Sequence, residues 1–349
     1  MLEHGGRIVA AARQYAIPVE AWLDLSAAIN PRPWRVPRIP AAAWARLPEE
    51  ADGLEEAARA YYGAPQVLAL AGSQAAIQAL PGLIPPCRVG VVAPGYGEHA
   101  HAWRQAGHQV QALPAATPDQ AADDLDVVVV IQPNNPSGDS LAPRRLLDLH
   151  ARLAARGGWL VVDEAFVDAT PECSLAGYSD RPGLIVLRSL GKFFGLAGAR
   201  VGFALAQPDL LERLRERLGP WTVAGASRYV ATQALRDEGW QAATRARLVK
   251  DTARLAALLA RHGLSPSGGT ALFQWVVTPA AAELHEFLAR GGILTRYFDT
   301  PSSLRFGLPG APSQWQRLET ALRLLHSESQ PAHPPLTKGG RGDLTVLAK

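Results

Sequence analysis

Lysine is nearly absent from this chain. Of 35 lysines and arginines only four are lysine, at positions 192, 250, 338 and 349, so Lys192 is the only one in the first 249 residues. A chain that uses arginine for almost every positive charge has kept a primary amine at one place. Arginine supplies charge and paired hydrogen bonds but cannot serve as a Schiff-base amine. Cysteine is scarce too. Cys87 and Cys173 lie far apart and outside any C-x-x-C spacing, which argues against a disulfide framework or a metal site. No apolar run approaches about 18 residues, and the opening MLEHGGRIVAAARQ lacks the apolar core of a secretory signal, so a soluble cytoplasmic protein is expected. Nor does either sign of charge dominate. The formal net charge is +3, and no segment gathers basic residues on one face, which argues against a nucleic-acid partner. No repeat shows at a period of about 20–50 residues, which sets solenoids and propellers aside.

What is present suffices for one large core or two coupled domains: 349 residues, 48% apolar and 19% charged. From about residue 67 to 206, short β-branched runs alternate with helical stretches. The runs are VLAL (67–70), RVGVVA (88–93), HQVQAL (108–113), DVVVVIQ (126–132), WLVVDEA (159–165), LIVLRS (184–189) and VGFALA (201–206). Continuous apolar runs such as 127–131 suit a sheet covered on both faces. This rhythm predicts an α/β fold with a mostly parallel seven-stranded sheet flanked by helices. Residues 208–262 read as long helices, and 264–326 mix strand and helix patterns. The expected organisation is a large α/β domain over 45–250, a smaller α+β domain made of 1–44 and 251–327, and a disordered tail over 328–349. Trp22, Trp34 and Trp44 are either core residues or anchors for a second subunit.

Four segments place polar residues at strand ends, where doubly wound sheets bind ligands. Ala71-Gly72-Ser73-Gln74 opens a helix, whose free N–H groups suit an anion, although a plain helix cap needs the same residues. Gln132-Pro133-Asn134-Asn135-Pro136-Ser137-Gly138 is at least a rigid turn, and could offer an amide to a phenolate oxygen. Asp163, ending a buried run, must be paired; a structural partner or a protonated pyridine nitrogen would serve. Ser189 and Arg200 bracket Lys192, and a hydroxyl with a guanidinium suits a phosphate beside an imine. Apolar surroundings would lower the lysine pKa and favour its free amine.

The order S-x-x-K-(x)7-R, preceded by D-E-A-F and N-P-S-G, resembles the fold-type I pyridoxal-phosphate (PLP) enzymes, the aspartate-aminotransferase superfamily, over roughly residues 4 to 326. The resemblance implies a fold-type I PLP-transferase, pyridoxal 5'-phosphate as cofactor, and a homodimer with its active site at the subunit boundary. It implies that Lys192 holds PLP as a Schiff base and shuttles protons, with Asp163 on the pyridine nitrogen and Asn135 on the ring hydroxyl. Ser73, Gln74, Ser189 and Arg200 would hold the phosphate, Tyr96 would stack on the ring, and Arg305 would bind the substrate α-carboxylate. No metal is implied.

Within the superfamily the chain is similar to the threonine-phosphate decarboxylases of cobalamin biosynthesis and to histidinol-phosphate aminotransferases. The opening His4-Gly5-Gly6, the segment DLSAAINP (24–31) and DEAFVD (163–168) tilt toward the former. The implied reaction is decarboxylation of L-threonine O-3-phosphate, with histidinol-phosphate transamination the alternative and a non-catalytic PLP-binding module a third. The implied partner is a small phosphorylated amino acid, not nucleic acid or membrane, with His4, Gly5, Gly6, Asn30 and Arg305 as its contacts. There are departures. Arg7 and Ala28 stand where that branch usually has Asn, Gly191 where it has Ser or Thr, and Leu47 and His99 where Tyr is frequent. Arg7 is a candidate extra contact for the substrate phosphate.

Overall fold

The computed structural model describes residues 4–121 and 123–328, so the tail expected from residue 328 lies, but for that residue, outside the described residues. Its strands run in chain order as β1 (Leu23–Asp24), β2 (Leu68–Leu70), β3 (Arg88–Ala93), β4 (Gln109–Pro114), β5 (Val127–Ile131), β6 (Trp159–Asp163), β7 (Leu184–Ser189), β8 (Gly202–Leu205), β9 (Gly268–Thr270), β10 (Phe273–Val277), β11 (Ile293–Leu294), β12 (Arg296–Phe298) and β13 (Ser303–Gly307). The seven expected runs form one sheet in the order β2-β8-β7-β6-β5-β3-β4. Neighbouring pairs are parallel except where β8 lies between β2 and β7. Parallel neighbours need a crossover, and the chain from Ser189 returns to Gly202 without one, so β8 must run back.

Both faces of this sheet are covered. Every residue of β5 and β6 is buried. Val127 and Val129 face one apolar cluster, while Val128 and Val130 face another. The helix Pro143–Ala154, between β5 and β6, buries Leu146, Leu149, His150 and Leu153, the face its apolar spacing predicts. Each fully buried valine or leucine contributes roughly 1.5–3 kcal/mol. That helix starts on Pro143, whose missing N–H costs nothing at a first turn.

Downstream, the expected helices are Pro208–Leu218, Gly225–Arg236 and Glu238–Arg261. Asp237 caps the last of them: its carboxylate accepts from Trp240 N at 3.0 Å and from Trp34 Nε1 at 2.9 Å, which holds its pKa below the usual range. Trp22 and Trp34 are core residues, whereas Trp44 is 69% exposed. Among the described residues no helix is long and apolar enough to cross a membrane.

A second sheet, antiparallel, has the order β12-β13-β10-β9, and β1 pairs in parallel with β11, tying the N-terminal segment to the C-terminal region. The two larger sheets meet at a glycine contact. A Cβ on Gly138, at φ 79°, would stand 2.1 Å from the Gly269 carbonyl oxygen, so the turn after β5 can lie against β9 only without a side chain. That meeting brings Arg305, on β13, toward the carboxyl edge of the large sheet.

Candidate active site

Because β2, β3, β4, β5, β6 and β7 point the same way and β8 opposes them, six carboxyl ends and one amino end share an edge. The register aligns Leu70, Gly202 and Ser189 across three strands. Just beyond them, the Arg200 guanidinium lies on Gly72, where a Cβ would come within 2.7 Å of Nη2, and a Cβ on Gly202 would strike Ser73 N at 2.3 Å. Ser189 Oγ accepts from Gly191 N at 3.2 Å. The backbone of Ser73, the hydroxyl of Ser189 and the guanidinium of Arg200 therefore come together at this edge. Arg200 has no carboxylate partner among the described residues; its Nη1 donates to the Ala197 carbonyl at 3.4 Å. A cation with hydroxyl and amide groups, unneutralised, is a cradle for an anion.

Lys192 stands on the loop between β7 and β8. Its Nζ donates to the Ala27 carbonyl at 3.1 Å and lies 5.4 Å from the Phe166 ring centroid. Burial lowers its pKa from 10.5 to about 8; Arg305 and Arg200 push the same way, while Asp163 and Asp24 oppose them. A buried amine near neutrality is what carbonyl condensation requires.

Asp163 closes β6, aligned with Ile131 and Leu187 and buried. Ala165 N donates to its Oδ1 at 3.1 Å, and the buried His99 Nε2, 2.8 Å away, donates to Oδ2. A carboxylate can only accept, so the pair sets the His99 tautomer. The sequence marked His99 merely as a departure from tyrosine; the structure makes it Asp163's partner. Tyr96 is half-buried, and its hydroxyl donates to Gln74 Oε1 at 3.1 Å. Burial and the nearby Asp163 push that hydroxyl up to about 12, so it stays protonated. The Gln74 amide is engaged on both sides, since Nε2 donates to Glu98 at 2.9 Å, and only its backbone is left for the cradle.

Lys192, Asn135, Tyr96, Arg305, His4, Gly5 and Gly6 line one cavity of about 420 Å³, with Arg296 and Phe298 across it. Arg305 is buried and forms no ion pair among the described residues, although Asp24 favours its charge through space. It donates to the Asn135 side-chain oxygen and to the Ser26 carbonyl, and its Nε finds no partner. Burial and the neighbouring Arg296 work against its charge, an arrangement suited to an incoming anion. Arg296 and Arg305 are register partners on β12 and β13, so both point from one face of that sheet. Sequence reading missed Arg296, because no spacing reveals the register of a hairpin. It also missed Glu98, which accepts from His4 Nε2 at 2.8 Å as well as from Gln74, and so holds the N-terminal residues across the cavity. Gly6 N adds a bond to Ser26 Oγ at 2.8 Å.

Asn30 requires a correction. Expected against the substrate, it instead donates from Nδ2 to the Phe193 carbonyl at 2.8 Å, and its Oδ1 accepts from Arg32 N and Arg247 Nη2. The Nδ2 bond anchors the lysine loop, and Asn30 does not line the cavity. Arg7 is exposed at the start of the helix Ile8–Tyr15 and lines a neighbouring cavity that shares His4, Gly5 and Arg296 with the first. Leu47 is 65% exposed.

Comparison with known proteins points the same way as this geometry. The sequence profile of the family described as aminotransferase class I and II matches residues 48–322. A threonine-phosphate decarboxylase of Pseudomonas aeruginosa is 59% identical over 333 residues, covering 95% of this chain and 100% of that protein. One from Sinorhizobium sp is 43% identical over 326 residues, covering 91% and 97%. The crystal structure of histidinol-phosphate aminotransferase from Sinorhizobium meliloti, in complex with pyridoxal-5'-phosphate, superposes with a TM-score of 0.73 at 18% identity, covering 92% of this chain and 88% of that one.

Proposed function

The chain belongs to the aminotransferase class I and II family, and from that premise we propose that it is a PLP-dependent decarboxylase of L-threonine O-3-phosphate, a lyase that serves cobalamin biosynthesis. One observation carries the substrate class: two guanidiniums, Arg305 and Arg296, enter the same small cavity as a buried amine. A substrate with a carboxylate at one end and a phosphate at the other matches that pair. The choice of decarboxylation rests on the decarboxylase relative that aligns along its whole length.

The residues present fit PLP. Ser73, Ser189 and Arg200 would hold its phosphate, with Gln74 contributing its backbone; Gly72 and Gly202, where a Cβ would strike Arg200 and Ser73, let these groups come close together. Asn135 and Tyr96 would contact the ring, and Asp163, oriented by His99, would keep its nitrogen protonated. When bound, PLP supplies a conjugated system that takes up the electron pair released at the substrate Cα. Arg305 would bind the α-carboxylate in paired fashion and Arg296 the phosphate, while His4, Gly5 and Gly6 cover the cavity. The Cα–carboxylate bond breaks, CO2 leaves, and a proton takes its place at Cα. Lys192 Nζ is the donor: burial lowers its pKa, so its ammonium form releases a proton more readily than an exposed lysine would. The product is (R)-1-amino-2-propanol O-2-phosphate.

Supplying PLP and threonine phosphate, and measuring CO2 against the amine product, tests the proposal; equal amounts are expected. Glutamate formed from histidinol phosphate and 2-oxoglutarate, with no CO2, would assign the aminotransferase reaction instead. PLP uptake with turnover of neither substrate would leave a non-catalytic module. The same proposal includes the division into units 45–250 and 1–44 with 251–327, a cytoplasmic setting, and a homodimer. The exposed Trp44, Leu47 and Trp221 support the last, as apolar surface of the kind subunits cover.

A further inference from the structure

Lys192 is gripped at both ends by one short bend. The Ala27 carbonyl accepts from its Nζ at 3.1 Å, and Asn30 N donates to its backbone oxygen at 3.0 Å. Between those contacts stands Ala28, 2% exposed and left-handed at φ 51°. That conformation is disfavoured for any residue with a Cβ, and alanine has no side-chain hydrogen bond to support it, as asparagine would. The neighbours impose it. Leu25 O accepts from Gly307 N at 2.7 Å, Ser26 O accepts from Arg305, and the Asn30 amide is fixed on Phe193. Three successive carbonyls are thereby directed at β13, at Arg305 and at Lys192.

We propose that this bend is a positioning device for Lys192: the Ala27 carbonyl receives the amine whenever it is not bonded to the cofactor, and left-handed Ala28 keeps that carbonyl turned toward it. The proposal rests on the reading of Lys192 as the amine that leaves and rejoins PLP. A backbone carbonyl suits the task because it accepts from the neutral amine and, more strongly, from the ammonium group. Asp24 and Asp163 both attract the same ammonium. Pairing with either would hold the proton more tightly and draw Nζ off the substrate carbon. A neutral acceptor keeps the amine oriented without that penalty.

The test weakens the acceptor alone. Incorporating L-lactic acid at position 28 turns the 27–28 amide into an ester, a poorer acceptor. It also deletes the Ala28 N–H, which has no hydrogen bond among the described residues. With four lysines in the chain, acylation of Lys192 by acetic anhydride can be followed by peptide mass spectrometry in the full-length, cofactor-free protein. The pH of half-protection should fall by about 0.5 to 1, the effect of weakening one hydrogen bond to a charged donor. In the PLP-loaded protein kcat should fall roughly 3- to 10-fold with KM changed less than about twofold. Ala28→Gly keeps the carbonyl and adopts the same φ freely, so its acylation curve should overlay the parent's. An ester variant whose curve also overlays the parent's, or a glycine variant that shifts as far as the ester, overturns the proposal. Failure of the parent chain to take up PLP would instead sink the functional reading, and the acylation curves would still judge the bend.

Discussion

Replacing Lys192 by methionine should stabilise the cofactor-free protein while abolishing turnover. Burial lowers the lysine pKa from 10.5 to about 8. The unfolded chain therefore binds more protons than the native one between those values, and stability rises with pH across that window. Below pH 8 the folded state carries the full penalty of a buried ammonium, about 3 kcal/mol at 1.36 kcal/mol per pKa step. The Ala27 hydrogen bond offsets part of it, so a gain of about 2–3 kcal/mol is expected from Met at pH 7. With an unfolding entropy of roughly 2.1 cal/mol/K per residue, this raises the melting temperature by about 3–4 °C. At pH 10, where the native lysine is neutral, the gain should shrink to about 1 °C. Differential scanning fluorimetry of both proteins from pH 6 to 10 reads this directly. A methionine variant no more stable at pH 7, or a gain that grows with pH, would refute the reasoning.

Arg305→Met should lower kcat/KM for threonine phosphate by about 10²–10³-fold while PLP still binds, because it removes a charge-assisted carboxylate contact. The same change should raise the melting temperature, since Arg305 is a buried cation with no ion-pair partner among the described residues. His99→Phe should cut kcat about tenfold and weaken PLP binding, and His99→Gln, which keeps an N–H for Asp163, should restore part of both; equal losses in the two variants would reduce His99 to a packing role. Arg188→Met should destabilise the protein by about 3–5 kcal/mol in urea titrations at pH 7, because Glu164 and Asp168 lose their buried partner. That loss should lessen toward acidic pH, as burial already pushes the Glu164 pKa up.

The single lysine in a field of arginines, the apolar run 127–131 and the polar groups at strand ends were all legible, because each is a property of one short segment. Parallel pairing follows from the alternation of runs and helices, so the seven-stranded sheet was legible with it. Ser189, Lys192 and Arg200 could be grouped in the same way, lying within one loop and its flanks. Asn30 was misread because its segment matches a motif, while its amide is engaged by Phe193 and Arg247, far away in the chain.

What the sequence determined by itself is the inventory of chemistry: one amine, one acid ending a buried strand, one hydroxyl and one guanidinium beside the amine. Periodicity decided their elements, since side-chain alternation and helical spacing are local. Only the tertiary structure decided which partners those groups meet. Arg296 faces the cavity because β12 and β13 pair in one register, a choice open to any hairpin until its turn forms. His99 reaches Asp163, and Ala27 reaches Lys192, across 64 and 165 residues of chain. Such contacts depend on how sheets and helices pack against one another, and no window of sequence carries that information.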